Sequence, residues 1–120
     1  MKPENFIIGG PREIATVYLI DFGLTKHYAN EVTNEHIPFK DGKKLTGTAR
    51  YVSIGTHKGY EQGRRDDIEG ICYILLYFLR NSLPWQGVVA ETKEDKYEII
   101  KQLKFKNTPE VLCEGLPSIA

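Results

Sequence analysis

Short apolar runs separated by polar stretches fill the first half of the chain, and helical periodicity begins only in the second. Phe6-Ile7-Ile8 is the first run, punctuated by Gly9-Gly10-Pro11. Val17-Tyr18-Leu19-Ile20 is the second, and it stops abruptly at Asp21-Phe22-Gly23. Two such runs predict a β-hairpin with a long connection, its second strand buried, with Asn5 just ahead of one strand and Asp21 ending the other. If the hairpin closes, both oxygen-bearing side chains emerge at the same end. His27 to Thr48 is polar and lacks a period, and a loop of that length is uncommon in a compact domain unless it has a task.

From Asp66 onward, Ile68, Ile71, Cys72, Leu75, Leu76 and Leu79 recur at i, i+3, i+4 spacing. Tyr73, Ile74, Tyr77 and Phe78 fill most of the remaining face, and a helix apolar nearly all round belongs inside a core. Asn81 and Pro84 end it. Thr92, with Asp95 three residues on, caps a further helix striped by Tyr97, Ile100, Leu103 and Phe105. Lys101, Lys104 and Lys106 suit its C-terminal dipole. Thr108 and Pro109 open a short helix that Gly115 stops, and Leu116 to Ala120 reads as the start of another. The pattern is α+β, mainly helical with a hairpin near the N-terminus. The all-apolar helix needs partners on every side, and the other elements are too few, so the chain reads as part of something larger.

Composition fits one soluble globular unit: 120 residues, 41% hydrophobic and 27% charged, with a formal net charge of zero. Bulk charge therefore argues neither for nor against nucleic acid, but its distribution says more. Between Lys26 and Arg65 stand eight basic residues and four acidic ones, a local surplus of four positive charges suited to anionic ligands. A solvated basic loop would carry the same surplus. Cys72 and Cys113 lie far apart in helical contexts and read as reduced structural residues of an intracellular protein, cytoplasmic or nuclear. His27, His36 and His57 are off metal-ligand spacing and read as surface residues. No signal peptide is visible, and the longest apolar run, Ile71 to Leu79, is too short to span a bilayer.

A strand that delivers a carboxylate at its end is one way to hold a metal ion over a cleft. Asp-Phe-Gly alone fits an ordinary strand-ending turn equally well. Lys2-Pro3-Glu4-Asn5 followed sixteen residues later by Asp21-Phe22-Gly23 is far more specific. A nucleoside triphosphate needs Mg²⁺ on its β/γ oxygens, Mg²⁺ takes few protein oxygens, and a lysine can steady the transferring phosphoryl group. This combination resembles the protein-kinase catalytic core. Leu45-Thr46-Gly47-Thr48-Ala49-Arg50-Tyr51, Arg64-Arg65-Asp66-Asp67, Ser82-Leu83-Pro84-Trp85-Gln86-Gly87 and Lys96-Tyr97-Glu98 extend the resemblance over essentially the whole chain. They are similar to the casein kinase I family of serine/threonine kinases.

That resemblance implies a partial kinase domain over residues 1–120, running from the catalytic loop through the helix after the activation segment. The implied cofactors are ATP and Mg²⁺. Asn5 and Asp21 would hold the metal, and Lys2 would contact the γ-phosphoryl group. Ile7 and Ile20 would line the adenine side, although plain strand core would look the same. Lys26, Lys43 and Arg50 match the family's anion-binding positions, where acidic or phosphorylated protein substrates dock, in agreement with the local charge surplus. No nucleic-acid or membrane partner is implied, and oligomeric state is left open. Asp67 matches the acid that braces the catalytic loop, and it would equally satisfy the dipole at a helix N-terminus.

The departures are as informative. The His-Arg-Asp triplet, whose Asp accepts the substrate proton, would precede Lys2, and the glycine-rich loop, its lysine and the helix glutamate have no counterpart here. Met1 stands where the family has isoleucine or leucine and reads as an internal methionine of a longer gene. The 120 residues alone are thus expected to be inactive and poorly folded. Gly55 replaces the family's usual asparagine, and Gly70 and Cys72 its serine and glycine. The larger Cys72 side chain is expected to crowd a close helix packing. A truncated pseudokinase or acidic-peptide binding module is the competing expectation, and a structural fragment without a ligand is the plainest one.

Overall fold

The structure is a computed structural model and describes residues 1–117. One turn of 3-10 helix, Pro3–Asn5, leads into β1 (Phe6–Ile8), which pairs antiparallel with β2 (Val17–Leu19). Four helices follow: α1 (Ile54–His57), α2 (Arg64–Arg80), α3 (Lys93–Lys106) and α4 (Pro109–Cys113). The architecture is α+β, with a single two-stranded sheet among the described residues. No helix among them is long and apolar enough to cross a membrane. Of the segment 116–120, Leu116 and Pro117 are not helical, and 118–120 lie outside the described residues.

The hairpin closes as its two apolar runs predict. Phe6 faces Leu19, Ile7 faces Tyr18 and Ile8 faces Val17. The ladder extends by one bond at each end, from the Ile20 N–H to the Asn5 carbonyl at 2.8 Å and from the Gly9 N–H to the Thr16 carbonyl at 2.9 Å. The second strand is nevertheless exposed along its whole length, not buried. Among the described residues the hairpin meets the core through Phe6, beside Met1, and the rest of its apolar side chains stay exposed.

That core lies between α2, α3 and the loops around them. Tyr51, Tyr73, Ile74, Leu76, Leu83, Trp85, Ile100 and Leu112 form it. Tyr73 and Trp85 meet edge to face, their centroids 5.1 Å apart, a favoured aromatic arrangement. α2 buries the side bearing Tyr73 and Ile74 and leaves Ile68, Cys72, Leu75, Phe78 and Leu79 exposed. The i, i+3, i+4 stripe is thus largely the outer face. Cys72 crowds nothing there, and Cys113 is also exposed, so neither thiol is a core residue. The close approach falls two residues earlier, where a Cβ on Gly70 would stand 3.0 Å from the Tyr51 carbonyl oxygen.

Helix ends follow their local chemistry. Thr92 accepts the Asp95 N–H at 3.1 Å and caps α3. Asn81 ends α2 in the left-handed region at φ 60°, which asparagine tolerates better than most residues. Arg80 donates from Nε to the Leu112 carbonyl at 2.8 Å and from its other arm to Glu114, so α4 hangs from the end of α2.

Candidate functional site

Closing the hairpin brings Asn5 and Asp21 together. Asn5 Nδ2 stands 3.5 Å from Asp21 Oδ2, across sixteen residues of chain. Each side chain is held by local backbone. The Lys2 N–H donates to Asn5 Oδ1 at 3.1 Å, and the Gly23 N–H donates to Asp21 Oδ1 at 3.3 Å. Asp21 itself takes a left-handed backbone, φ 65°, which turns the chain sharply where the strand ends. This pair sits on the wall of an open cleft of about 540 Å³, within the range of small-molecule sites. Lys2, Ile20, Lys26, Lys43 and Asp67 share that wall. Ile7 shares a hairpin face with Tyr18 and Ile20 but is not among the cleft's lining residues.

Lys26 and Lys43 come from opposite ends of the long polar loop, and Glu61 ties them together. One Glu61 oxygen takes Lys26, and the other takes Lys43 at 3.1 Å. Hydrogen bonds from Lys26 and then Lys43 hold the Glu61 carboxyl down at about 2. The local charge surplus is therefore partly answered within the cleft.

Arg50 is elsewhere. It lines a second opening with Gly47, Gln86, Lys93 and Lys96, and Lys2 borders both clefts. The three anion-binding candidates thus divide into two neighbouring basic sites. Lys93 and Lys96 were not legible as partners of Arg50, because only the fold brings the first turn of α3 to that loop.

A largely buried polar layer forms part of the first cleft's wall. Asp66 accepts from Ser53 Oγ at 2.5 Å and from the Gly63 N–H at 2.7 Å, joining the start of α2 to α1. Ser53 in turn caps α1 by accepting the Thr56 N–H at 2.9 Å. Asp67 is exposed and lines the first cleft, while the neighbouring acids Asp66 and Glu69 brace local backbone, Glu69 by accepting the Ile54 N–H at 2.8 Å. His57 is half-buried with an unpaired Nε2, not a surface residue. Burial, then the Lys104 charge, lowers it to about 4.

Lys104 departs most from expectation. Read from sequence as a cation that suits the C-terminal dipole of its helix, it does stand in the last turn of α3, but it is 2% exposed. Its Nζ donates to the carbonyls of Ala49, at 2.8 Å, and Val52, at 2.5 Å. It lies 4.8 Å from the Tyr73 ring centroid and 5.2 Å from that of Trp85. Burial pushes its ammonium down to about 7, and Glu69 acts the other way. The signal was present, since Tyr97, Ile100 and Lys104 share one helix face at i, i+3, i+7.

The site offers one amide and one carboxylate for a hard cation, flanked by basic clefts. Among the described residues no three His, Cys, Asp or Glu side chains cluster as a closed metal cage. No protein-family model matches the chain.

Proposed function

We propose that the chain is part of an ATP- and Mg²⁺-dependent serine/threonine kinase of casein kinase I type, acting on acidic or already phosphorylated protein substrates. The observation that carries this reading is the approach of Asn5 to Asp21 at the end of the hairpin. The donor chemistry suits the metal. Mg²⁺ prefers oxygen, keeps several waters, and is bound by one or two protein groups together with substrate phosphates, so two donors on an open cleft suffice. When bound, the magnesium nucleotide supplies the phosphoryl group and neutralises its charge.

The chain's own residues would position and stabilise. Asn5 and Asp21 hold the metal side, Lys2 stands between the two clefts to meet the transferring group, and Ile20 offers apolar surface beside Asp21. Lys26 and Lys43 in one cleft, and Arg50 with Lys93 and Lys96 in the other, attract acidic or phosphorylated side chains. None of these groups is a general base for the substrate hydroxyl, so the chain by itself is expected not to turn over.

Assaying magnesium-dependent nucleotide binding by calorimetry tests the metal side directly. Wild type should bind MgATP, and Asp21→Ala and Asn5→Ala should each weaken it by about tenfold or more. Binding unaltered in both variants rejects this reading. The basic clefts also support a second one, a docking module for acidic peptides that needs no ATP. It predicts peptide binding that weakens with salt and with Arg50→Ala, and that ignores the nucleotide.

A further inference from the structure

Arg50 reaches the second cleft from a loop that has no strand or helix of its own, Thr48 to Ser53. Such a segment holds one conformation only if something satisfies its backbone. Two turn bonds help, from the N–H groups of Tyr51 and Val52 to the Thr48 carbonyl at 2.9 and 3.1 Å. The carbonyls of Ala49, Arg50 and Val52 point inward instead. Ala49 and Val52 accept from Lys104 Nζ, and Arg50 accepts from Trp85 Nε1 at 2.8 Å.

We infer that Lys104 and Trp85 are positioning residues that fix this loop from beneath and thereby present Arg50 to an anionic substrate, a role resting on the docking function proposed above. Three carbonyls within four residues are gripped by two buried side chains from different elements. Trp85 is 2% exposed, like Lys104, so water cannot readily replace either donor. Lys104 is suited to the task because an ammonium has three donors. Two meet the carbonyls while the cation rests against the electron-rich faces of Tyr73 and Trp85. A surface lysine on this helix would reach neither carbonyl. With the backbone held from inside, the Arg50 side chain is left to the cleft, where Gln86, Lys93 and Lys96 face it.

Lys104→Met keeps the length and apolar stem but removes the donors, and Trp85→Phe removes one N–H while keeping an aromatic ring. The full chain is titrated with an acidic peptide carrying one phosphoserine, by fluorescence anisotropy at several salt concentrations. Arg50→Ala should weaken binding by about tenfold and make it less salt-dependent. Lys104→Met should reproduce both changes, Trp85→Phe should do so to a smaller extent, and neither should weaken binding further when Arg50 is already alanine. Losses that add to that of Arg50→Ala, or wild-type affinity in Lys104→Met, overturn the positioning role. If Arg50→Ala binds as wild type, the docking function itself fails and the positioning role with it. Should Lys104→Met not fold, Trp85→Phe decides by the same coupling: additive loss or no loss overturns the inference, and non-additive loss supports it.

Discussion

Glu61 occupies the position a substrate phosphate would want, between Lys26 and Lys43. A carboxylate bridging two ammonium groups is a fair copy of a bound anion, so an incoming phosphate must either displace it or share the two cations. In Glu61→Gln the carboxylate charge is gone while the size stays, and phosphopeptide affinity is expected to rise about three- to tenfold at low salt. The gain should vanish as salt is raised; an anisotropy titration that shows weaker binding would instead make Glu61 a template for the lysines. Three other residues set how stability follows pH. His57 titrates at about 4 when folded and 6.5 in its ordinary state, so the unfolded chain takes up the proton first, and stability falls as pH drops from 6.5 to 4. Lys104 titrates at about 7 against 10.5, so its contribution is full above 10.5 and declines as pH falls to 7, by on the order of a few kcal/mol. Tyr73, raised by burial and then by its bond to Glu69, opposes both only above about pH 10, where the unfolded phenol ionises first. Thermal melts should therefore show a Tm that climbs from pH 5 to pH 9. Lys104→Met should flatten the climb above pH 7, and His57→Gln the part below 6.5.

The starts of α1 and α2 are joined by a small network of polar bonds. Asp66 joins α2 to α1 through Ser53 and closes its own first turn through the Gly63 N–H. Alanine at 66 would leave the Gly63 N–H without its acceptor and the Ser53 hydroxyl with Thr56 alone, at a cost of about 1–3 kcal/mol, which urea unfolding would register as a lower midpoint with an unchanged slope. A cost below about 0.5 kcal/mol would mean the joint is unimportant. The elements themselves were largely legible. Turn residues and apolar runs mark the hairpin, Thr92 and Asp95 mark the start of α3, and Asn81 marks the end of α2, because each of these acts through near neighbours in sequence. The pairing of Asn5 with Asp21 was legible for the same reason, since a hairpin fixes which ends meet. The short helix α1 was not, because its capping Ser53 is supported by Asp66 thirteen residues away. Which side of α2 is buried was not legible either. A helix apolar all round gives periodicity no preferred face, and the choice fell to Tyr51, Trp85 and Ile100 packing against Tyr73 and Ile74. Beyond the helix face it shares with Tyr97 and Ile100, the burial of Lys104 was not legible, because the two carbonyls that hold its ammonium lie on a loop far upstream.

At the scale of the whole molecule, the radius of gyration is 16.2 Å, where about 13–14 Å is usual for a domain of this length. The excess has identifiable sources. The hairpin is exposed apart from Phe6, and α2 leaves a row of large apolar side chains in water, with Ile68, Phe78 and Leu79 each 61% exposed and Leu75 54%. Ile68, Cys72, Leu75 and Leu79 fall at i, i+4, i+7, i+11 and form one continuous outer stripe. Burying such a row is worth roughly 1.5–3 kcal/mol per side chain, and exposing it favours association between copies of the chain. Two outcomes follow from one pair of substitutions, Leu75→Gln with Leu79→Lys. If the stripe stays open in solution, the double variant should lose dye binding, measured by ANS fluorescence, with no change in association state by light scattering, while its Tm changes by no more than a degree or two. If the stripe is covered by another copy, the same variant should become monomeric and less stable, and the wild-type Tm should rise with protein concentration. Ile74→Ala, on the opposite side of the helix, serves as the reference, since a buried isoleucine truncated to alanine costs about 2–5 kcal/mol in either case. The second outcome is expected, because an exposed apolar row of this length favours association between copies of the chain. An outer-face variant as destabilised as Ile74→Ala, with no dependence on concentration, would mean that the two sides of α2 have been assigned the wrong way round.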